Sequence, residues 1–322
     1  MTFKGAVSIL VCLAGLSPTP GWTQRNDVEL SLLPVQGNVY MLYGGAAGNI
    51  AVQVGGDGVM LVNAMGAGLA ERIADVIETV TPAPIRYIIN TSADLHHTAG
   101  NAALAALGMF GSTPSLAPGE APGATLVAHE NVMLRLTTAS TERRNPFPGA
   151  GIPRDVYFLP FKDIYFNGEP VFVIHEANAH SDGDSIVLFR RSDTIAVGDL
   201  FTPDEFPVID VASGGSVQGL ISALNHVLDL AVPAHLQDGG TRIIPGRGRL
   251  CNEADVVEYR NMVVIVRDRV RGMMDEGMTL AQIQAARPTR DYDIEFGSGP
   301  GSGEPFVEAV FTSLAADRGT RP

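Results

Sequence analysis

The sequence predicts an α/β fold, and three observations predict it. Short apolar runs of strand length recur along the chain. Stretches with helical apolar spacing separate them, and clusters of Gly, Pro, Asn and Asp mark the boundaries. With 322 residues, 45% hydrophobic and only 18% charged, the chain can bury a sizeable core.

The elements follow in order. Runs 38–43, 50–54 and 59–62 are strand-like, and Gly44, Gly45, Gly55, Gly56 and Gly58 turn between them, which predicts an antiparallel meander. Leu69, Ile73, Val76, Ile77 and Val80 recur at helical spacing, with Glu71, Arg72, Asp75 and Glu78 on the other face, so an amphipathic helix lies on that sheet. A buried strand at 85–89, a short Ala-rich helix at 101–107 and a surface loop over 111–124 come next. In the second half, 171–174, 186–189, 195–197 and 242–244 read as strands, and 216–230 and 252–275 as helices. Thr279 and Gln282 have capping-box spacing for a short helix that must stop by Arg287, because Pro288 follows. A Gly-rich linker, 297–303, then leads to a terminal helix over 305–314.

Ahead of these elements, Lys4, the apolar run 6–16, Pro18 and Pro20 read as an export signal, taken as 1–23. That run is too short to span a bilayer. The expectation is a periplasmic or secreted protein, mature from about 24 to 322, forming one domain with a C-terminal helical extension from about 252. Its one remaining cysteine, Cys251, leaves no internal disulfide. With 22 basic against 35 acidic residues, the net charge of −13 excludes nucleic acid and anionic membrane surfaces as partners. A small-molecule substrate is expected instead.

The chemistry is suggested by where polar residues fall. Asn63, the group Ser92, Asp94, His96 and His97, then His180, Asp199 and Arg247 each stand just past the C-terminal end of an apolar strand. Open α/β sheets gather ligands at those ends, so residues far apart in sequence converge there.

Several stretches resemble the metallo-β-lactamase superfamily. They are Gly37-Asn38-Val39-Tyr40, the run 58–63, and Ile88-Ile89-Asn90-Thr91 leading to Thr98-Ala99-Gly100-Asn101. Ala179-His180-Ser181-Asp182-Gly183-Asp184, Val197-Gly198-Asp199-Leu200 and Ile244-Pro245-Gly246-Arg247-Gly248 follow in the family's order. The resemblance covers about 35–250. It implies a four-layer αββα sandwich that holds a zinc hydrolase site.

The motif of that site is altered. The family's His-x-His-x-Asp-His is here Ser92-Ala93-Asp94-Leu95-His96-His97, and the last histidine of its Pro-Gly-His-Gly turn is Arg247. By family roles, one metal position keeps Asp94 and His180 with Ser92 as a weak donor. The other keeps His96 and His97 with a cation beside them, and Asp199 serves both. A neutral hydroxyl is a poor zinc ligand, and a guanidinium cannot deprotonate to become one. The expected occupancy is therefore at most one zinc ion, or none, with Asp94, His96, His97, His180 and Asp199 as the donors. Asn63 replaces a carboxylate that would orient a ligand histidine.

Two functions stay open on these residues. One is a metal-dependent hydrolase of an ester, amide or thioester, in which His96 carries the proton and Arg247 holds an anionic substrate or the developing oxyanion. The other is a catalytically inactive binding protein that keeps the cleft. Arg247 can alternatively form a structural salt bridge with Asp199 or Asp94, and Asp199 can close an Asx-turn. His129, His175, His226 and His235 are expected to be structural or exposed, Asp182 and Asp184 to form turns, and Cys251 to be a lone buried thiol.

Overall fold

A computed structural model describes residues 28–110, 123–142 and 149–319. The expected export segment, and the surface loop expected at 111–124 apart from its last two residues, lie outside the described residues. Among the described residues no helix is long and apolar enough to cross a membrane.

Among the described residues, thirteen strands form two sheets. The first holds β1 (Ser31–Gln36), β2 (Val39–Tyr43), β3 (Asn49–Gly55), β4 (Gly58–Val62), β5 (Ile85–Ile89), β6 (Thr125–His129) and β7 (Asp155–Tyr157), in sequence order. β1 to β4 pair antiparallel, which is the expected meander, and β4 to β7 pair parallel. The second holds β8 (Phe161–Phe166), β9 (Glu169–Glu176), β10 (Asp184–Phe189), β11 (Thr194–Gly198), β12 (Arg242–Pro245) and β13 (Cys251–Asn252). Only β11 and β12 run parallel there, because α5 carries the chain across between them.

The helices are α1 (Ala70–Glu78), α2 (Leu95–Thr98), α3 (Asn101–Leu107), α4 (Glu130–Glu142), α5 (Val217–Leu230), α6 (Glu253–Asp275), α7 (Leu280–Ala286) and α8 (Glu304–Gly319). Local chemistry fixes several starts. Ser216 caps α5 by accepting from the Gly219 amide. Asn252 with Asp255 and Thr279 with Gln282 form capping boxes on α6 and α7, the second where its spacing predicts it. The Gly-rich linker at 297–303 folds into turns closed by the Ser302 hydroxyl on the Gly299 carbonyl.

Three apolar clusters show the layering. Val39, Met41, Met60, Val62, Tyr87 and Ile89 of the first sheet meet Val171, Val173, Val187, Phe189 and Ile244 of the second. These alternate residues face inward, and their sequence neighbours face outward. Leu42, Ile50, Leu61 and Ile88 pack outward against Ile73 and Ile77 of α1 and Leu104 of α3. Ile186, Ile195, Val197 and Ile243 pack outward against Leu224 of α5, Tyr259 and Val263 of α6 and Phe306 of α8. The order is helix, sheet, sheet, helix, the αββα sandwich that the resemblance implies. Cys251 is buried and free, and burial pushes its thiol up to about 12.

Strands β1, β6, β7 and β8 and helix α4 carry no expectation from the sequence. β1 contains Pro34 and lies at a sheet edge, where a missing amide is tolerated. β8 is also an edge strand, and its outward residues Phe161 and Tyr165 are exposed, so hydrophobic alternation fails there.

Candidate metal centre

Five chain segments meet at the strand ends named by the sequence. The tightest element is the turn after β5. Thr91 donates to Asn63 Oδ1 through its amide at 3.0 Å and its hydroxyl at 2.9 Å, which ties the end of β5 to the end of β4. Asn90 and Asn101, both fully buried, exchange amide hydrogen bonds at 2.9 and 2.8 Å, and Asn90 also donates to the His97 carbonyl at 3.1 Å. This frame fixes α2, the single turn that carries His96 and His97. Asn90→Ala leaves Asn101 and the His97 carbonyl short of a buried donor. It should cost about 2 kcal/mol, read as a lowered midpoint in urea unfolding of the variant beside the parent.

On that frame the two imidazoles converge on one carboxylate. His96 Nε2 lies 2.8 Å from Asp199 Oδ1, and His97 Nε2 lies 2.8 Å from Asp199 Oδ2. The rings sit 4.0 Å apart, centroid to centroid. Ser92 Oγ donates to Asp199 Oδ2 at 3.2 Å, a supporting contact for a side chain that is itself a poor metal donor. Burial opposes charge on Asp199, but His97 and His96 outweigh it and hold the carboxyl well below its ordinary range.

Backbone shape makes this approach possible. Gly198 precedes Asp199 with φ +54, and a Cβ there would stand 2.3 Å from the Thr91 hydroxyl. At Gly246 a Cβ would stand 2.8 Å from the Gly198 carbonyl oxygen and 3.0 Å from His97 Cε1. Those two glycines let the β11 and β12 ends close on α2.

On the other side of Asp199 lies a second group. His180 Nε2 is 3.5 Å from Asp94 Oδ2, and its Nδ1 is 3.3 Å from Asp184 Oδ1. Asp94 precedes α2 without capping it through its side chain, so its carboxylate is free to face His180. Burial opposes charge on His180, yet Asp184, Asp199 and Asp94 outweigh it and push its pKa up to about 9. Asp184 is more than the expected turn former. It is buried at the start of β10, accepts from the Ser181 amide at 2.6 Å and hydroxyl at 2.9 Å, and orients His180 from behind. Nothing marks this in sequence, since Ser-Asp-Gly-Asp reads as a turn. Asp182 is held by Arg135 at 2.8 Å on the outside of the same loop.

Arg247 sits on the turn after β12, but its expected salt bridge with Asp199 or Asp94 is not formed. Its guanidinium instead lies 3.7 Å from Glu205, which is exposed in the loop after β11. Of the remaining histidines, His129 stacks on His175 at 3.6 Å, His226 pairs with Glu176, and His235 is exposed.

The described residues contain two three-donor groups, His96 with His97 and Asp199, and Asp94 with His180 and Asp199. The first has the two imidazoles and one carboxylate of a catalytic zinc, leaving a coordination position open. The second has a single imidazole, and its Asp94 is 42% exposed. The donor chemistry thus fits a zinc ion at the first group.

Comparisons with known proteins agree on the fold. A family model described as the metallo-beta-lactamase superfamily matches residues 43–235. The stereoselective inverting sec-alkylsulfatase Pisa1 from Pseudomonas sp. superposes with TM-score 0.67 at 14% identity, over 88% of this chain and 50% of that one. The chain therefore spans about half the length of that enzyme. A metallo-beta-lactamase from Pontibacter korlensis superposes with TM-score 0.55 at 13% identity, over 73% of this chain and 99% of that one. The DIM-1 metallo-beta-lactamase gives 0.54 at 12%, over 73% and 97%. No curated protein matches the sequence.

Proposed function

The chain belongs to the metallo-beta-lactamase superfamily, and from that premise we propose that it is a hydrolase of an ester, amide or thioester bond that works with a single zinc ion. The observation that supports this most is the convergence of His96, His97 and Asp199 from the ends of two strands of different sheets. These three residues would hold the ion. Zinc bound there supplies a Lewis acid for the scissile bond and acidifies water toward neutral pH.

The remaining groups have roles set by their positions. Ser92 keeps Asp199 turned toward the two histidines. An imidazole that gives Nε2 to a metal cannot also accept a proton there, so the proton role expected for His96 passes to Asp94. Asp94 is the most open carboxylate of the site and is backed by His180 and Asp184. Arg247, whose partner Glu205 is exposed and 3.7 Å away, can exchange that partner for an anionic substrate group or the developing oxyanion.

A second reading is also supported by a specific observation. Both carboxylate oxygens of Asp199 have hydrogen-bond partners in His96, His97 and Ser92 without any ion, so the cleft can persist as a binding site with no catalysis. Hydrolysis separates the two. The purified chain should cleave p-nitrophenyl acetate, or a sec-alkyl sulfate of the kind implied by the alkylsulfatase likeness. Activity should fall to background with a chelator and return with zinc. Activity unchanged by the chelator would overturn the metal-dependent reading.

A further inference from the structure

We propose that the outer face of the second sheet carries a binding site, separate from the metal centre, for a single-chain anionic amphiphile such as a medium-chain fatty acid. A cavity of about 480 Å³ opens there, within the roughly 300–1,000 Å³ of small-molecule sites.

Register explains the cavity. Phe161 stands opposite Ile174 across β8 and β9, and Phe172 stands opposite Leu188 across β9 and β10, so the four share one face. The inward neighbours Ile164, Val171, Val173 and Val187 belong to the core between the sheets. Helix α5 packs on β10 and β11 through residues such as Leu224, and its His226 and Leu230 line the cavity. The result is an apolar trough beside an edge strand, with Phe161 54% exposed. Isolated exposed apolar residues are ordinary, but a concave and contiguous set marks a ligand surface.

Charge at the rim identifies the occupant. Arg190 directly follows β10, lines the cavity and is exposed, and among the described residues its guanidinium has no carboxylate partner. Nine other arginines among the described residues do pair with carboxylates. His226 shares the rim, with Nδ1 2.5 Å from Glu176 Oε1. Asp163 lies on the same sheet face but not in the cavity lining, and it repels an anion from the β8 side. An alkyl chain along Phe161, Phe172, Ile174, Leu188 and Leu230 with its carboxylate on Arg190 satisfies both features.

Titration calorimetry of the full chain with octanoate and decanoate, below their micelle concentrations, tests this. The expected result is one saturable site per chain that tightens about threefold to fourfold per added methylene. Binding should weaken about tenfold in Arg190→Gln and in Phe161→Ser, and it should survive chelator treatment. Decyltrimethylammonium, with the same chain and opposite charge, should bind at least tenfold more weakly. Equal binding of the cation, indifference to Arg190→Gln, or loss of decanoate binding on chelation would each overturn the proposal. Concentration-dependent dimerisation that blocks decanoate would assign the trough to a second copy and overturn it as well.

Discussion

Asp199→Ala should strip the protein of zinc and of hydrolytic activity together. Among the described residues Asp199 is the carboxylate shared by both donor groups, and its two oxygens are already aligned on His96 and His97 at 2.8 Å. Loss of a partner one shell outside a metal costs about 10–100-fold in affinity or activity. Loss of this shared donor should exceed that upper figure, read as zinc content and as the rate of ester cleavage. A far-ultraviolet spectrum and a retained cooperative unfolding transition would show that the fold survives. Zinc retained at the parental level in a folded Asp199→Ala would place the ion elsewhere.

The second large effect is a gain. Ser92→His, Asp94→His, His96→Asp and Arg247→His, made together, restore the motif of the superfamily that the chain resembles. Ligands act as a unit, so single reversions leave an incomplete shell. The backbone already suits them. Ser92, Asp94 and His96 lie in the segment braced by the Asn90 and Asn101 amides, and Arg247 stands between Gly246 and Gly248 on the turn that packs on His97. Removing Arg247 also removes a fixed positive charge beside the site. The folded variant should take up a second zinc ion and gain ester or lactam hydrolysis. Unchanged zinc content would mean that the four positions do not share one shell. Strong gain from an inactive parent would make the parent a binding protein, whereas comparable activity in both would make Asp94, His96 and Arg247 a working alternative set.

The parts of this protein that were legible in sequence are those whose physics is local. The run 85–89 is apolar except at Arg86 because its strand is buried between neighbours, and the structure places β5 there with the same bounds. Thr279 and Gln282 announce α7 by side-chain chemistry within four residues. β8 was not legible, because Phe161 and Tyr165 face outward at an edge and hide its inward Ile164 and Phe166. β6 and α4 follow a Pro- and Gly-rich stretch without a boundary signal. At the site, the positions of Asp94, His96, His97, His180 and Asp199 after strand ends were readable, but their convergence depends on two sheets stacking, which no local pattern encodes. Long-range partners were invisible for the same reason. Arg247 meets Glu205 across two loops, and Asp184 supports His180 through a turn whose sequence has an ordinary meaning.

The central claim is that the shared carboxylate of Asp199 supports one metal ion and not two. Elemental analysis of the chain, purified without chelators and dialysed after zinc loading, measures this directly. The account predicts close to one zinc per chain. Two tightly held ions per chain would contradict it from one side, and a folded chain that takes up no zinc would contradict it from the other.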